Sequence, residues 1–385
     1  MKIILLTNIL SPYRKIFYDE LYSQFLKKGH DFHVLVMSAN EDNREWKYEE
    51  YKADYTILLN CRTIKFKNIY FHLNDNIKET ICELYPDILI ASGSYISPSV
   101  YSVIRMRKRL GYKLFFWSES HLNESRSYSK TKLLLRDLVR KVLYNKFDGF
   151  WYAGKKSLEF IQKYYRKKGE FCFVPNLVDG GLFHEAALKT EEWKKEIRNS
   201  LKIDLKKYVL LIPARLAPVK GIMPFLELFI QCKYKENCIL LIAGEGECRE
   251  KIKEYIDECG IDARMTGYVS NQNQLIDFYA IADVFLLPSL SDPNPLSCIE
   301  ALWAGLPLLV SEHVGNYPEI VSRGINGYVF SYSNKEEAVK IIDNVISQSK
   351  EWYESAKKAS INIAREKYGV STAVEKIVSQ MVGKA

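Results

Sequence analysis

Ser291-Asp-Pro-Asn-Pro-Leu-Ser-Cys-Ile-Glu300-Ala-Leu-Trp-Ala-Gly305-Leu-Pro307 runs between two short apolar stretches, residues 284–288 and 308–311. The flanking stretches have the length and aliphatic content of buried strands. Between them, Asn294 is a good N-cap, and Pro295 suits a first helical turn, where its missing N–H is no loss. Gly305 suits the position just past a helix, and Pro307 cannot continue one. The spacing predicts a short helix over residues 295–304. A strand, a helix and a strand in close succession form a crossover between parallel strands.

The same alternation extends in both directions. Strand-like runs are expected at residues 2–7, 32–37, 88–91, 114–117, 149–153 and 171–174, and at 208–214, 239–243, 264–268, 284–288 and 308–311. Runs that are apolar on both faces and separated by helical patterns indicate parallel sheets covered on each side. The charged helical stretch 191–207 contains the expected junction. The fold class is therefore α/β, with two Rossmann-like, doubly wound parallel-sheet domains: 1–195 and 196–365.

In such sheets, ligands bind beyond the carboxyl ends of the strands. The helix at 295 begins there, so its free N–H groups near Leu296 and Ser297 offer a phosphate seat. Asp292 and Glu300 flank that seat, and carboxylates accept hydrogen bonds from sugar hydroxyls. Carboxylate, amides and carboxylate match the sugar, diphosphate and ribose of a nucleotide sugar. Pro213-Ala-Arg215-Leu-Ala-Pro-Val-Lys220-Gly221 follows another strand. There Arg215 offers a fork and Lys220 a point charge to a departing diphosphate. Gly244, Glu245, Tyr268, Val269 and Asn294 lie at further strand ends and complete the candidate donor-binding set. Two partial motifs are set aside. Gly149-Phe-Trp-Tyr-Ala-Gly154-Lys155-Lys156 lacks the Ser/Thr of a phosphate loop, and Arg249 replaces the third glycine of a dinucleotide fingerprint beginning at Gly244.

The 385 residues are 47% hydrophobic and 26% charged, which excludes a disordered chain. No apolar run approaches the ~18 residues of a membrane span. After Met1-Lys2, residues 3–7 are too short for a signal-peptide core and read as a first strand. The eight cysteines form no C-x-x-C pair and read as buried free thiols. Charge is uneven: residues 1–190 hold 31 basic and 21 acidic residues, against 24 and 26 in the remainder. Residues 126–146 interleave Arg136, Arg140 and Lys141 with leucines, which predicts an amphipathic helix with a basic face. That face suits either solvent or an anionic membrane surface, and the asymmetry of the whole first half favours the membrane. No nucleic-acid-binding motif accompanies the charge.

Together these segments resemble a family 4 glycosyltransferase of the retaining, two-domain GT-B type found in bacterial surface-polysaccharide synthesis. That family carries E-x7-E in the pattern E-G-F-G-x-P-x-x-E-A-M-A-x-G-x-P. Here Asp292 stands at the first acidic position and Glu300 at the second. Ala214-Arg215-Leu-Ala-Pro-Val-Lys220-Gly221 resembles G-R-L-x-x-x-K-G, and Gly315-Asn-Tyr-Pro318-Glu319 resembles G-G-x-P-E. The chain departs in having Pro293 and Pro295 where the family has glycines, and Ser11-Pro-Tyr-Arg14 where relatives carry a glycine-rich loop.

The resemblance implies retaining transfer from a nucleotide-diphosphate sugar, with the two domains facing across a cleft and residues 366–385 crossing back onto the first. It implies that Arg215 and Lys220 hold the diphosphate, Glu300 the ribose and Asp292 the donor sugar. His121 or Glu119 fills the place of a family histidine near that sugar; a plain loop histidine is the alternative. The acceptor side falls to Tyr13, Arg14 and Ser94, with Arg14 either a ligand contact or a surface residue. No Asp-x-Asp triplet occurs in the chain, so no metal site or cofactor is expected beyond the nucleotide sugar as co-substrate. The expected reaction adds a sugar to a lipid-linked or polysaccharide acceptor of a surface glycan. The expected location is cytoplasmic, peripheral at the inner membrane face. A nonhydrolysing sugar-nucleotide epimerase and a catalytically silent scaffold of the same fold are the alternatives. An epimerase alters the nucleotide sugar without an acceptor; a scaffold binds nucleotide without turnover.

Overall fold

The computed structural model describes residues 1–41, 47–66, 69–122 and 130–383. Two compact units divide the chain, and each carries its own sheet.

The first unit contains β1 (Lys2–Thr7), β2 (Asp31–Val36) and β3 (Thr56–Leu58), then an antiparallel hairpin of β4 (Arg62–Phe66) and β5 (Ile69–Leu73), and then β6 (Ile88–Ala91), β7 (Lys113–Ser118), β8 (Gly149–Tyr152) and β9 (Glu170–Phe173). Its main sheet runs β3-β2-β1-β6-β7-β8-β9, all parallel. The second unit holds β10 (Tyr208–Pro213), β11 (Cys238–Ala243), β12 (Ala263–Gly267), β13 (Val284–Leu287), β14 (Leu308–Ser311) and β15 (Gly327–Phe330). Its order is β12-β11-β10-β13-β14-β15, again parallel. Strand order therefore reverses between β1 and β6 in one sheet and between β10 and β13 in the other. These switch points open a crevice at the strand ends, where doubly wound sheets take ligands.

Burial explains why these runs are strands. Ile3–Leu6, Val209–Ile212, Ile239–Ile242 and Val284–Leu287 are fully buried on both faces. Each such side chain contributes roughly 1.5–3 kcal/mol on leaving water. All eleven strands expected from the sequence form, each within a residue of its expected bounds. Four further strands form that the sequence pattern does not announce: β3 and β15 are only three and four residues long, and β4 and β5 form a separate hairpin outside the main sheet.

Three expectations change. The junction falls at residues 177/178 rather than 195/196. The helices Gly180–Leu188 and Glu191–Ser200 belong to the second unit because their anchors lie there. Phe183 packs edge-on to Tyr279 at 5.5 Å, and Arg198 donates to Asp283 and to the Ile281 carbonyl. The terminal helix Val370–Val382 joins the first unit, where the Gln24 amide donates to the Ser371 carbonyl and Trp151 Nε1 contacts Met381 Sδ.

The expected basic face is only partly what the Lys130–Tyr144 helix presents, with Lys141 exposed and Arg136 half-buried; residues 126–129 of that expectation lie outside the described residues. Arg140 is buried, its guanidinium 4.7–5.0 Å from the ring centres of Tyr95, Phe160 and Tyr164. The exposed side carries Leu134, Leu135, Leu138 and Val142, each more than half exposed. Cation–π contact and the aliphatic stem make an arginine acceptable inside, so the leucines are left outside. Nor are the cysteines uniformly buried. All eight are free thiols, but Cys61, Cys82 and Cys259 are exposed.

Candidate functional site

The second unit assembles its candidates at the ends of β10, β11, β13 and β14. The helix after β13 is Leu296–Trp303, and its N-cap is Pro295 rather than Asn294. Pro295 has extended backbone (φ −65°, ψ 126°) and no capping side chain. The first N–H groups of the helix, at Leu296 and Ser297, thus lack a capping partner from its N-cap residue, and the helix dipole favours an anion there. Gly305 ends the helix in the left-handed region (φ +74°), as its position required.

After β10, Pro218–Lys220 forms one 3-10 turn closed by Gly221. Gly221 has φ +66°, and a Cβ there would stand 2.1 Å from the Pro288 carbonyl oxygen. Only glycine lets these loops touch. Leu290 N–H donates to the Val219 carbonyl at 2.8 Å, which ties the β13 loop to the turn. The result is an ion pair: Lys220 Nζ lies 2.5 Å from Asp292 Oδ2, with the side chains 23% and 12% exposed. Asp292 is held from its other side, since its carbonyl accepts from Gly315 N–H at 2.7 Å. Arg215 is exposed and forms no ion pair among the described residues.

Glu300 points into the interior and is only 8% exposed. The Tyr279 hydroxyl donates to its Oε2 at 2.7 Å. Burial pushes its carboxyl up to about 7, against the stabilising pull of the Tyr279 hydrogen bond. Glu245 is paired with Arg249 one helical turn on, which explains the missing third glycine: Arg249 serves as a counter-ion. Gly244 is partly exposed at the end of β11; a Cβ on it would meet the Ala214 carbonyl at 2.0 Å. Tyr268 is 68% exposed and Val269 half-buried beyond β12. Asn294, Leu296 and Ser297 are half-buried at the helix start.

The first unit brings a separate group together. Arg14 Nη2 donates to Glu119 Oε1 at 3.0 Å, and the Arg14 guanidinium lies 3.9 Å from the Trp117 ring centre. Arg14 is therefore not a free surface cation: the first turn of the helix Pro12–Lys27 and the end of β7 deliver it and Glu119 to each other. Two residues on, His121 is 1% exposed. Tyr13 is half exposed, and Ser94 follows β6.

Residues 194–365 match the family model described as glycosyl transferases group 1. The second unit is a group 1 glycosyltransferase domain. Among curated relatives, this chain is similar to the lipopolysaccharide 1,2-N-acetylglucosaminetransferase of Salmonella typhimurium, 28% identical over 58% of this chain and 60% of that one. It is also similar to the alpha-monoglucosyldiacylglycerol synthase of Acholeplasma laidlawii, 30% identical over 45% of this chain and 43% of that one. The chain spans about half the length of the curated relatives it matches. Its fold is that of the GT-B glycosyltransferases: the Anabaena HepE structure in complex with UDP superposes with TM-score 0.73 over all of both chains at 16% identity.

The glycosyltransferase domain also relies on residues that the sequence reading passed over. Tyr279 fixes Glu300 and lies in the helix Gln272–Ile281, where its aromatic ring looked like ordinary core. Asn316, 2% exposed, donates to the Pro295 carbonyl at 3.3 Å and so secures the start of the helix. Asn316 sits within the G-G-x-P-E-like segment, so that motif was the available signal.

Proposed function

We propose that the chain is a glycosyltransferase that moves a sugar from a nucleotide-diphosphate sugar to a lipid-linked or polysaccharide acceptor in surface-glycan synthesis. The observation that carries this reading is the meeting of Lys220, Asp292 and the Leu296–Trp303 helix start at the switch point of the second sheet. A departing nucleoside diphosphate gathers negative charge. Lys220, Arg215 and the helix amides meet it with fixed positive charge, without a metal being needed for that task. Glu300, steadied by Tyr279, takes the ribose hydroxyls, and Asp292 takes the hydroxyls of the transferred sugar.

The proposed stereochemical course is retention. The leaving diphosphate departs from the face that the acceptor attacks, and no side chain is assigned as nucleophile. Tyr13, Arg14 and Ser94 are assigned to the acceptor side, and His121 or Glu119 to the catalytic place near the donor sugar. A lipid-borne acceptor also accounts for Leu134, Leu135, Leu138 and Val142 on the exposed face of the Lys130–Tyr144 helix. This face rests on the inner surface of the cell membrane by apolar insertion, with the basic excess of the first half as support. No helix among the described residues is long and apolar enough to cross a membrane.

The test is an assay of the purified chain with a panel of nucleotide sugars and a lipid-linked acceptor, with the anomeric configuration of the product read by NMR. Transfer with retention supports the reading. Inversion overturns the stereochemical assignment, and altered nucleotide sugar in the absence of acceptor replaces the transferase with an epimerase.

A further inference from the structure

The strand-start edge of the second sheet, opposite the nucleotide loops, carries a crevice of about 610 Å³. It opens where Tyr208 begins β10, Asp283 precedes β13 and Pro307 precedes β14, beneath the helices Glu191–Ser200 and Lys350–Tyr368. Seven of its lining residues are Lys or Arg and three are Asp or Glu. Three of the cations are already neutralised: Lys194 by Glu191, Arg198 by Asp283 and Lys207 by Asp262. Lys195, Lys206, Lys350 and Lys357 form no ion pair among the described residues. Glu354 is the one lining carboxylate left to offset them.

Lysines with no further role spread apart into solvent, because like charges repel and hydration is cheap at a surface. Here Lys357 is half-buried. Its ammonium is held below the ordinary lysine range by burial and by the neighbouring Lys194, against the opposing pull of Glu354 and Glu191. Glu191 and Glu354 face Lys194 and Lys357, but Lys195, Lys206 and Lys350 line the same concave site with no ion-pair partner among the described residues, and that cationic excess is what an anion would neutralise. Several point-charge donors converging on one volume suit the many oxygens of a phosphorylated group.

We propose that this crevice binds a multivalent phosphate group, as a second anion site separate from the nucleotide loops. Inorganic triphosphate is the probe. Calorimetric titration into Lys220→Ala protein, which weakens the nucleotide loops, is expected to show saturable binding that weakens at least tenfold between 0.05 and 0.5 M salt. The double variant Lys195→Gln/Lys350→Gln alters only exposed side chains and is expected to lose this binding tenfold or more while its UDP affinity stays within twofold. Lys357→Gln is expected to do the same. A parallel titration with phosphatidylglycerol vesicles tells a lipid headgroup from a soluble phosphate, and loss in the double variant in either arm supports the site. Triphosphate and vesicle binding that are both unchanged in the double variant overturn it. So does triphosphate binding that UDP displaces completely from the wild-type chain.

Discussion

Replacing Asp292 with asparagine is expected to push nucleotide binding and sugar transfer in opposite directions. In the present structure Asp292 occupies Lys220 at 2.5 Å, on side chains that are mostly buried. A diphosphate must take Lys220 from that carboxylate. At an effective dielectric of about 20, two charges this close attract by several kcal/mol, but desolvation offsets most of it, leaving on the order of 1–2 kcal/mol. The amide of an Asp292→Asn variant would keep the size and remove the rival charge. The affinity for free UDP, measured by calorimetry, is then expected to rise roughly 5–30-fold. Transfer should fall, because a charged acceptor of the sugar hydroxyls is lost, at about 1.5–3 kcal/mol, or roughly 10–100-fold in kcat/KM. The reasoning fails if UDP binds the variant no more tightly than the wild type: the pair would then not compete with the diphosphate.

Three further outcomes follow from the same geometry. Lys220→Ala should lower kcat by about 10²–10³-fold, the usual cost of removing one fixed donor to developing charge; full activity would remove Lys220 from the leaving-group role. Glu300→Gln should stabilise the fold while weakening UDP. The buried carboxyl titrates at about 7 against 4.5 as its ordinary value, so holding it ionised costs the folded state up to about 3 kcal/mol above pH 7. That cost falls away as pH drops from 7 towards 4.5, where the folded form is protonated and the unfolded form half so, and it is gone below that. Melting curves should therefore show the variant ahead of the wild type at pH 8 and level with it below about pH 4.5; an equal gap at both would contradict the assignment. Leu134→Ser/Leu138→Ser should reduce binding to phosphatidylglycerol vesicles at least tenfold without altering the melting temperature, since both side chains are exposed; undiminished vesicle binding would remove this helix from the membrane contact.

Much of the second unit could be read before any coordinates. Its strands are apolar on both faces, and Pro295, Gly305 and Pro307 punctuate one helix so firmly that its bounds moved by a single residue at each end. The cap itself was misassigned: Asn294 has the right chemistry, but Pro295 already holds extended backbone, and the helix starts one residue later. Long-range pairings were illegible, because spacing says nothing of who meets whom. Nothing near Arg14 announces Glu119, 105 residues away, and nothing near Glu300 singles out Tyr279 from the other aromatic residues. The Lys130–Tyr144 helix shows the same limit in reverse. Its alternation of arginine and leucine fixes an amphipathic helix but not which stripe faces inward, and a cage of aromatic rings decided that for Arg140.

The most direct measurement is a crystal structure of the chain soaked with UDP. The β-phosphate is expected within hydrogen-bond distance of the Leu296 or Ser297 amide and of Lys220 Nζ, with the ribose against Glu300. A diphosphate bound elsewhere, with that helix start and Lys220 left untouched, would contradict the account.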